Sequence, residues 1–270
     1  KDGDNLTIRR SLEDDACKVI PPPLHTMPWK IADSQKVVEN YENAKKDPKH
    51  YFENLYLSLM KFLMAAVDLP GSAYYHLITC WIFHTYVADK FQYTPFIALY
   101  ALPERGKSRL GKSMIWTAYR GLYTETLREA YLIRLAKEAG VSVFLDLIDF
   151  WKKATSLGCE DMMLTRFEKG AAVPRVLQPD KSAFEGIKYY ETFGPTIIAV
   201  NEPLNDILET RCIQINMPES SRSFDNQILE KNLLSFRERL LAFRAMYMDV
   251  EFPDMDKVTK GRLGDISRPL

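Results

Sequence analysis

"FIALYALPERGKSRLGKSM", residues 96–114, contains the tripeptide Gly-Lys-Ser twice, five residues apart. A phosphate-binding loop needs only one lysine. In such a loop a buried strand delivers backbone N–H groups that point inward, and the next helix adds the positive end of its dipole. The lysine neutralises the β- and γ-phosphates while the hydroxyl residue holds Mg²⁺. Two registers compete here. Residues 101–108, "ALPERGKS", have Ala101 where the first glycine is usual, and residues 106–113, "GKSRLGKS", fit the strict pattern. Context favours the looser match. The β-prone run "FIALY" ends directly against Ala101, whereas the strict register would follow "LPER", whose Pro103 and two charges cannot finish a buried strand. A helix starting near Arg109 also places Leu110, Met114, Ile115 and Ala118 on one face. The reading adopted is therefore Lys107 and Ser108, against the plain alternative of a basic helix end.

The same kind of run recurs. "YTPFIALY" (93–100), "VSVFLDLI" (141–148), "PTIIAV" (195–200) and "RCIQINM" (211–217) read as strands buried on both faces, with helix-like stretches between the first two. Strands alternating with helices predict an α/β fold on a mostly parallel sheet. Residues 1–33 are polar and then proline-rich, and read as an extended connector. Residues 34–92 carry apolar positions at helical spacing, broken at "KKDPKH" and "DLPGS", and predict about three packed helices. The nucleotide-binding core is expected over 93–218. An amphipathic helix at 225–248 opens a last region, 219–270.

The strand ends carry the chemistry. Asp146 closes "VFLD", where an acidic residue orders Mg²⁺ and its water, and Asp149 follows it. Asn201 ends "TIIAV" and is placed to orient the attacking water; its alternative is an ordinary strand-end turn before Pro203. Arg211 precedes the last strand, as a surface ion-pair partner or as a finger completing a neighbour's site.

That order of motifs resembles the AAA+ ATPases. It resembles more closely the P-loop ATPase/helicase proteins of phages, plasmids and other mobile elements, relatives of the minichromosome-maintenance-type replicative helicases. The segment "LITCWIFHTYVADKFQYTPFIALYALPERGKSRL" looks like that group's helix, Trp-x-x-His-Thr stretch, strand and loop. "VFLDLIDFWKKA" falls at Walker B, "GPTIIAVNEP" at sensor 1, and "LETRCIQINMP" at the arginine finger. "GRLGDISRPL" looks like the start of a helical lid, with Arg262 or Arg268 as a sensor 2 residue. The resemblance covers roughly residues 74–270. It implies a P-loop AAA+ core with an N-terminal helical region and a partial C-terminal helical lid. It also implies that Pro103, Glu104, Arg105, Gly106, Lys107, Ser108 and Arg109 bind ATP, with Ser108 and Asp146 on Mg²⁺. One departure stands out: Leu147 occupies the place of the water-polarising glutamate, so Asp149 or Glu202 would substitute, or hydrolysis would be slow.

The stretch between Walker B and sensor 1, "TRFEKGAAVPRVLQPDKSAFEGIKYYETFG" (165–194), carries Arg166, Lys169, Arg175, Lys181 and Lys188 with Phe184, Tyr189 and Tyr190 interleaved. Helicases of the resembling group place a hairpin here in the channel of a ring. Arg175, Lys181 and Lys188 are accordingly the candidate contacts to single-stranded DNA. Its acids, Glu168, Asp180, Glu185 and Glu191, leave a solvated loop as the alternative.

Composition bounds the rest. The 270 residues are 46% hydrophobic, enough for a substantial core, and Lys plus Arg balance Asp plus Glu at 36 each, so any DNA contact must be local. The four cysteines (17, 80, 159, 212) show neither a zinc spacing nor a disulfide framework, which predicts a reduced, cytoplasmic setting. His76 and His84 are expected to pack among aromatics rather than bind metal. The first residue, Lys1, and the ending "DISRPL" suggest a fragment of a longer chain. The reading is an ATP-dependent DNA helicase or translocase working as a ring, a hexamer, in mobile-element or phage replication. The alternatives are a nucleotide-switched loader with little turnover, or a small-molecule kinase active as a monomer.

Overall fold

The computed structural model describes residues 26–270 except Ile148, Asp254 and Val258. The proline triplet and Cys17 lie outside the described residues. Helix α1 (Ser34–Lys46) begins where the Asp33 carboxylate accepts the N–H groups of Gln35 and Lys36. Helix α2 (Pro48–Ala66) starts with proline in its first turn, where the missing N–H costs nothing. Helix α3 (Ser72–Thr85) follows, and its Trp-x-x-His-Thr motif anchors the first strand. Trp81 donates to Pro95 O at 3.2 Å, and His84 Nε2 lies 2.9 Å from Thr94 Oγ1. Burial pushes the His84 imidazole down to about 3, so it stays neutral and serves packing, as expected of it.

The strands are β1 (Phe96–Tyr100), β2 (Gly121–Thr124), β3 (Ser142–Asp146), β6 (Thr196–Val200) and β7 (Cys212–Asn216). Among the described residues they form one sheet in the order β2-β3-β6-β1-β7, every pair parallel. The α/β parallel fold expected from the alternating runs is what forms. Alternate residues of β1 feed two cores. Ile97 and Leu99 face α2, α3, α4 (Lys107–Ile115) and α10 (Leu234–Tyr247). Phe96 and Ala98 face α5 (Glu129–Ala139), α6 (Phe150–Ser156) and α7 (Glu160–Thr165).

Two elements differ from the sequence reading, and the hairpin expected between Walker B and sensor 1 forms. Strand β2 was not anticipated: its four residues form an edge strand, too short to show a period. The helix expected over 225–248 begins only at Leu234, after a 3₁₀ turn at Glu230–Leu233. Residue Leu229 is extended, and Asp225 accepts from Ser223 Oγ at 2.7 Å rather than entering a helical turn. Helix α10 then packs on α1 and α2, with Phe243 edge-on to Phe52 at 5.3 Å. Between α7 and β6 the chain forms a two-stranded antiparallel hairpin, β4 (Ala172–Val176) and β5 (Ile187–Glu191), joined through the short helix α8 (Ala183–Gly186).

The second Gly-Lys-Ser is explained by packing. A Cβ on Gly111 would stand 2.1 Å from the Phe144 ring, so only glycine lets α4 lie this close to β3. Lys112 stretches toward the sheet edge with its ammonium 4.8 Å from the Tyr123 ring centroid. Ser113 is buried and donates to Arg109 O at 2.9 Å. Gly111→Ala is therefore expected to destabilise the protein by about 1–3 kcal/mol through overpacking, measured by urea unfolding.

Candidate nucleotide site

The loop between β1 and α4 turns twice through left-handed backbone, at Glu104 (φ 64°) and Gly106 (φ 82°). Gly106 is the residue immediately before α4, so the first N–H groups of the helix open onto the loop. Lys107 folds back into it. Its ammonium donates to Ala101 O, to Leu102 O at 3.1 Å and to Asn201 Oδ1 at 2.5 Å. Partial burial lowers its pKa, and the carboxylate of Asp146 opposes that shift. Ser108, next along, is exposed.

Sheet register explains why these groups meet. Asp146 lies level with Ala199 of β6, and Tyr100 lies level with Val200, so Asp146, Asn201 and the loop emerge side by side at the carboxyl ends of three adjacent strands. A crevice at that end is where open parallel sheets place ligands. Among the described residues no cation lies within ion-pair distance of Asp146. A carboxylate without an ion-pair partner, in the field of the Lys107 ammonium, suits Mg²⁺, which binds through few protein ligands and keeps its waters; Ser108 is the hydroxyl that the loop offers. Leu147, one step on, is 6% exposed and belongs to the core on the other face of the sheet. Asp149 and Glu202 line a small hollow with Phe150, Trp151 and Lys152, Asn201 at its rim.

Beside Gly106 opens a groove of about 480 Å³, bounded by Asp68, Arg109, Ser220, Arg222 and Phe224. Arg105 pairs with Glu219 at 2.8 Å, and Arg222 pairs with Asp68. Arg109 donates to Ala66 O at 2.6 Å, and its guanidinium lies 5.1 Å from the Phe224 ring centroid. Pro103 and Glu104 also line the groove. Arg105 and Arg109, candidates for nucleotide in the sequence, clamp the segment that follows β7.

Against this geometry, no family model matches the chain, and no curated protein does. It is similar to the X-ray structure of the JCV helicase. The identity is 15% and the TM-score 0.42, over 81% of this chain and 61% of that one. It is also similar to the same helicase with an inhibitor bound, at 16% identity and TM-score 0.41 over the same shares. The chain spans less than two thirds of the length of those chains.

Other sequence-derived residues lie elsewhere. Arg211 stands at the amino end of β7, the opposite end from the loop. It donates to Ile207 O at 2.5 Å, and its guanidinium lies 4.8 Å from the Phe167 ring centroid. Arg262 lies over the same ring at 5.6 Å and donates to Thr210 Oγ1 at 2.8 Å. Arg268 lines a pocket with Phe91 and Tyr93, ahead of β1. Arg262 and Arg268, the sensor 2 candidates, thus lie with Thr210, Phe167 and the segment ahead of β1. In the hairpin, Lys181 and Lys188 are exposed, with Phe184 fully so at 99%. Arg175 instead pairs with Glu129 at the start of α5. Arg166 is buried and unavailable to any nucleic acid: it donates to Thr192 O, Val141 O and Thr196 Oγ1 at 2.9–3.1 Å.

Sequence reasoning passed over one pair entirely. Tyr123 and Glu125 lie at the carboxyl end of β2, and the Tyr123 hydroxyl donates to the Glu125 carboxylate. A recognised fifth strand would have marked them, since it puts Glu125 beside the strand that ends in Asp146.

Among the described residues no helix is long and apolar enough to cross a membrane. Cys80, Cys159 and Cys212 are free thiols.

Proposed function

We propose that this chain is the motor of an AAA+-type, ATP-dependent DNA helicase or translocase that works as a ring, and that Lys107 marks its nucleotide site. The observation that carries the reading is the meeting of Lys107, Asp146 and Asn201 at three neighbouring strand ends, beside a left-handed glycine at the start of a helix. Lys107 and the loop N–H groups would cradle the β- and γ-phosphates of ATP, and the nucleoside would extend into the groove by Arg109 and Phe224. Mg²⁺, held by Ser108 and Asp146, would offset the charge that spreads over the transferring phosphoryl group. Asn201, already within hydrogen-bonding reach of the Lys107 ammonium, would orient the attacking water.

Arg211 supports the ring. It faces away from its own loop, so any phosphate it stabilises must belong to another copy of the chain. The exposed hairpin supports the DNA side: Lys181 and Lys188 would meet phosphates while Phe184 stacks on a base. Mobile-element or phage replication and six subunits complete the reading from the sequence motifs.

Leu147 favours a second reading, a nucleotide-switched DNA loader with little turnover, because a buried leucine cannot polarise water. Mixing variants separates the two. Arg211→Ala and Lys107→Ala are each expected to be inactive alone. Their equimolar mixture should recover about a quarter of wild-type hydrolysis, the share of subunit interfaces in a random ring that join an intact lysine to an intact arginine. A mixture as inactive as its parts would exclude shared sites.

A further inference from the structure

A motor that hydrolyses ATP must take a proton from the attacking water, and the usual position for that base is closed here. Leu147 is sealed in the core beneath the sheet, so no rotation brings a polar group from that residue to the phosphates. The Asp149 backbone is left-handed (φ 54°), and with Glu202 it borders a hollow shared with Phe150, Trp151, Lys152, Asn201 and Leu204, so both are tested below beside the residue proposed here.

The opposite flank of Asp146 offers a different carboxylate. Strands β2 and β3 run parallel with Tyr123 opposite Phe144 and Thr124 opposite Leu145, so the next residues, Glu125 and Asp146, leave the sheet at the same level. Tyr123 points to the α4 side, where its ring lies 5.4 Å from Phe144 and 4.8 Å from the Lys112 ammonium. Its hydroxyl donates to Glu125 and so holds that carboxylate on the α4 side, the side of Asp146 and the loop. The charges of Glu125 and Asp146 both act on this one phenol, which burial, the bond to Glu125 and the two charges together push upward. It remains a protonated donor at neutral pH.

We infer that Glu125, presented by Tyr123 from the end of β2, is the general base of the hydrolytic step. This rests on the nucleotide site proposed above. The water oxygen forms a bond to the γ-phosphorus as the bond from that phosphorus to the β,γ-bridging oxygen breaks. The water proton passes to the Glu125 carboxylate, and ADP leaves with the bonding electron pair. Tyr123 is a positioning residue. Its hydrogen bond fixes where the carboxylate stands at the end of β2. Glu125 is exposed, so its replacement by an amide carries little structural burden.

The test compares ATP hydrolysis and Mg·ATP affinity in the wild type, Glu125→Gln, Tyr123→Phe, Asp149→Asn and Glu202→Gln. Loss of general-base catalysis lowers kcat by about 10²–10⁴-fold, so Glu125→Gln is expected to fall in that range with ATP affinity within about twofold. Tyr123→Phe is expected to lose less, in kcat alone with KM for ATP unchanged, because the carboxylate is presented less well while nucleotide contacts stay intact. Glu125→Gln turning over within about threefold of wild type overturns the assignment, as does a loss confined to Asp149→Asn or Glu202→Gln. A wild type that binds ATP but does not hydrolyse it also overturns it while leaving the nucleotide site standing. A wild type that binds no ATP overturns both.

Discussion

Replacing Lys107 with alanine is expected to lower ATP hydrolysis by at least ~10²–10³-fold, the loss seen when one preorganised donor to transition-state charge is removed. Lys112→Ala should stay within about threefold of wild type, because its ammonium lies over Tyr123 at the sheet edge. The contrast is large because the two lysines sit in identical tripeptides on one helix. Lys107 is at its first residue, with Gly106 in a left-handed turn behind it and Asn201 within 2.5 Å. Lys112 is in its last turn, and the glycine before it serves to admit the Phe144 ring. Steady-state hydrolysis and equilibrium ATP binding of both variants give the answer. Equal losses, or a loss only at Lys112, would remove the phosphate role from Lys107.

Replacing Arg166 with methionine is expected to cost about 3–5 kcal/mol of stability, measured by urea unfolding. The side chain is 1% exposed, and burial lowers its pKa to about 10, which leaves it charged at neutral pH. Among the described residues it has no carboxylate partner; its charge is solvated by the carbonyls of Val141, Thr192 and Gly194 and the hydroxyl of Thr196. Removing it would strand the buried carbonyls of Val141 and Thr192 near the amino ends of β3 and β6, where the hairpin rejoins the sheet, while Gly194 O keeps the Thr196 hydroxyl. The same variant should lose DNA stimulation of hydrolysis before it loses basal hydrolysis, since the hairpin base loosens first. A change below about 1 kcal/mol would mean that water replaces the guanidinium without penalty.

Much of this was legible in the chain because buried parallel strands announce themselves. "FIALY", "VFLD" and "TIIAV" are short continuous apolar runs, and each ends in a change of chemistry that became a strand end at the crevice. The choice of register followed from the same physics: a strand must finish before the loop can begin, and β1 finishes at Tyr100. What stayed hidden depended on partners distant in sequence. "GLYT" is four residues at a sheet edge, half-covered, and nothing local distinguishes it from the turn after α4. With it went Tyr123 and Glu125. Arg166 read as one more cation in a basic stretch, because its four acceptors come from residues at least 25 positions away. Arg175 lost its apparent freedom to Glu129 for the same reason.

In the proposed motor the crevice at the ends of β1, β3 and β6 hydrolyses ATP in a copy-dependent ring that DNA stimulates. The deciding measurement is steady-state hydrolysis of Mg·ATP by the unaltered chain across protein concentration, with and without single-stranded DNA. Specific activity is expected to rise with concentration as rings form and to rise again when DNA is added. A specific activity independent of concentration and indifferent to DNA would contradict it and point to a monomeric phosphotransferase.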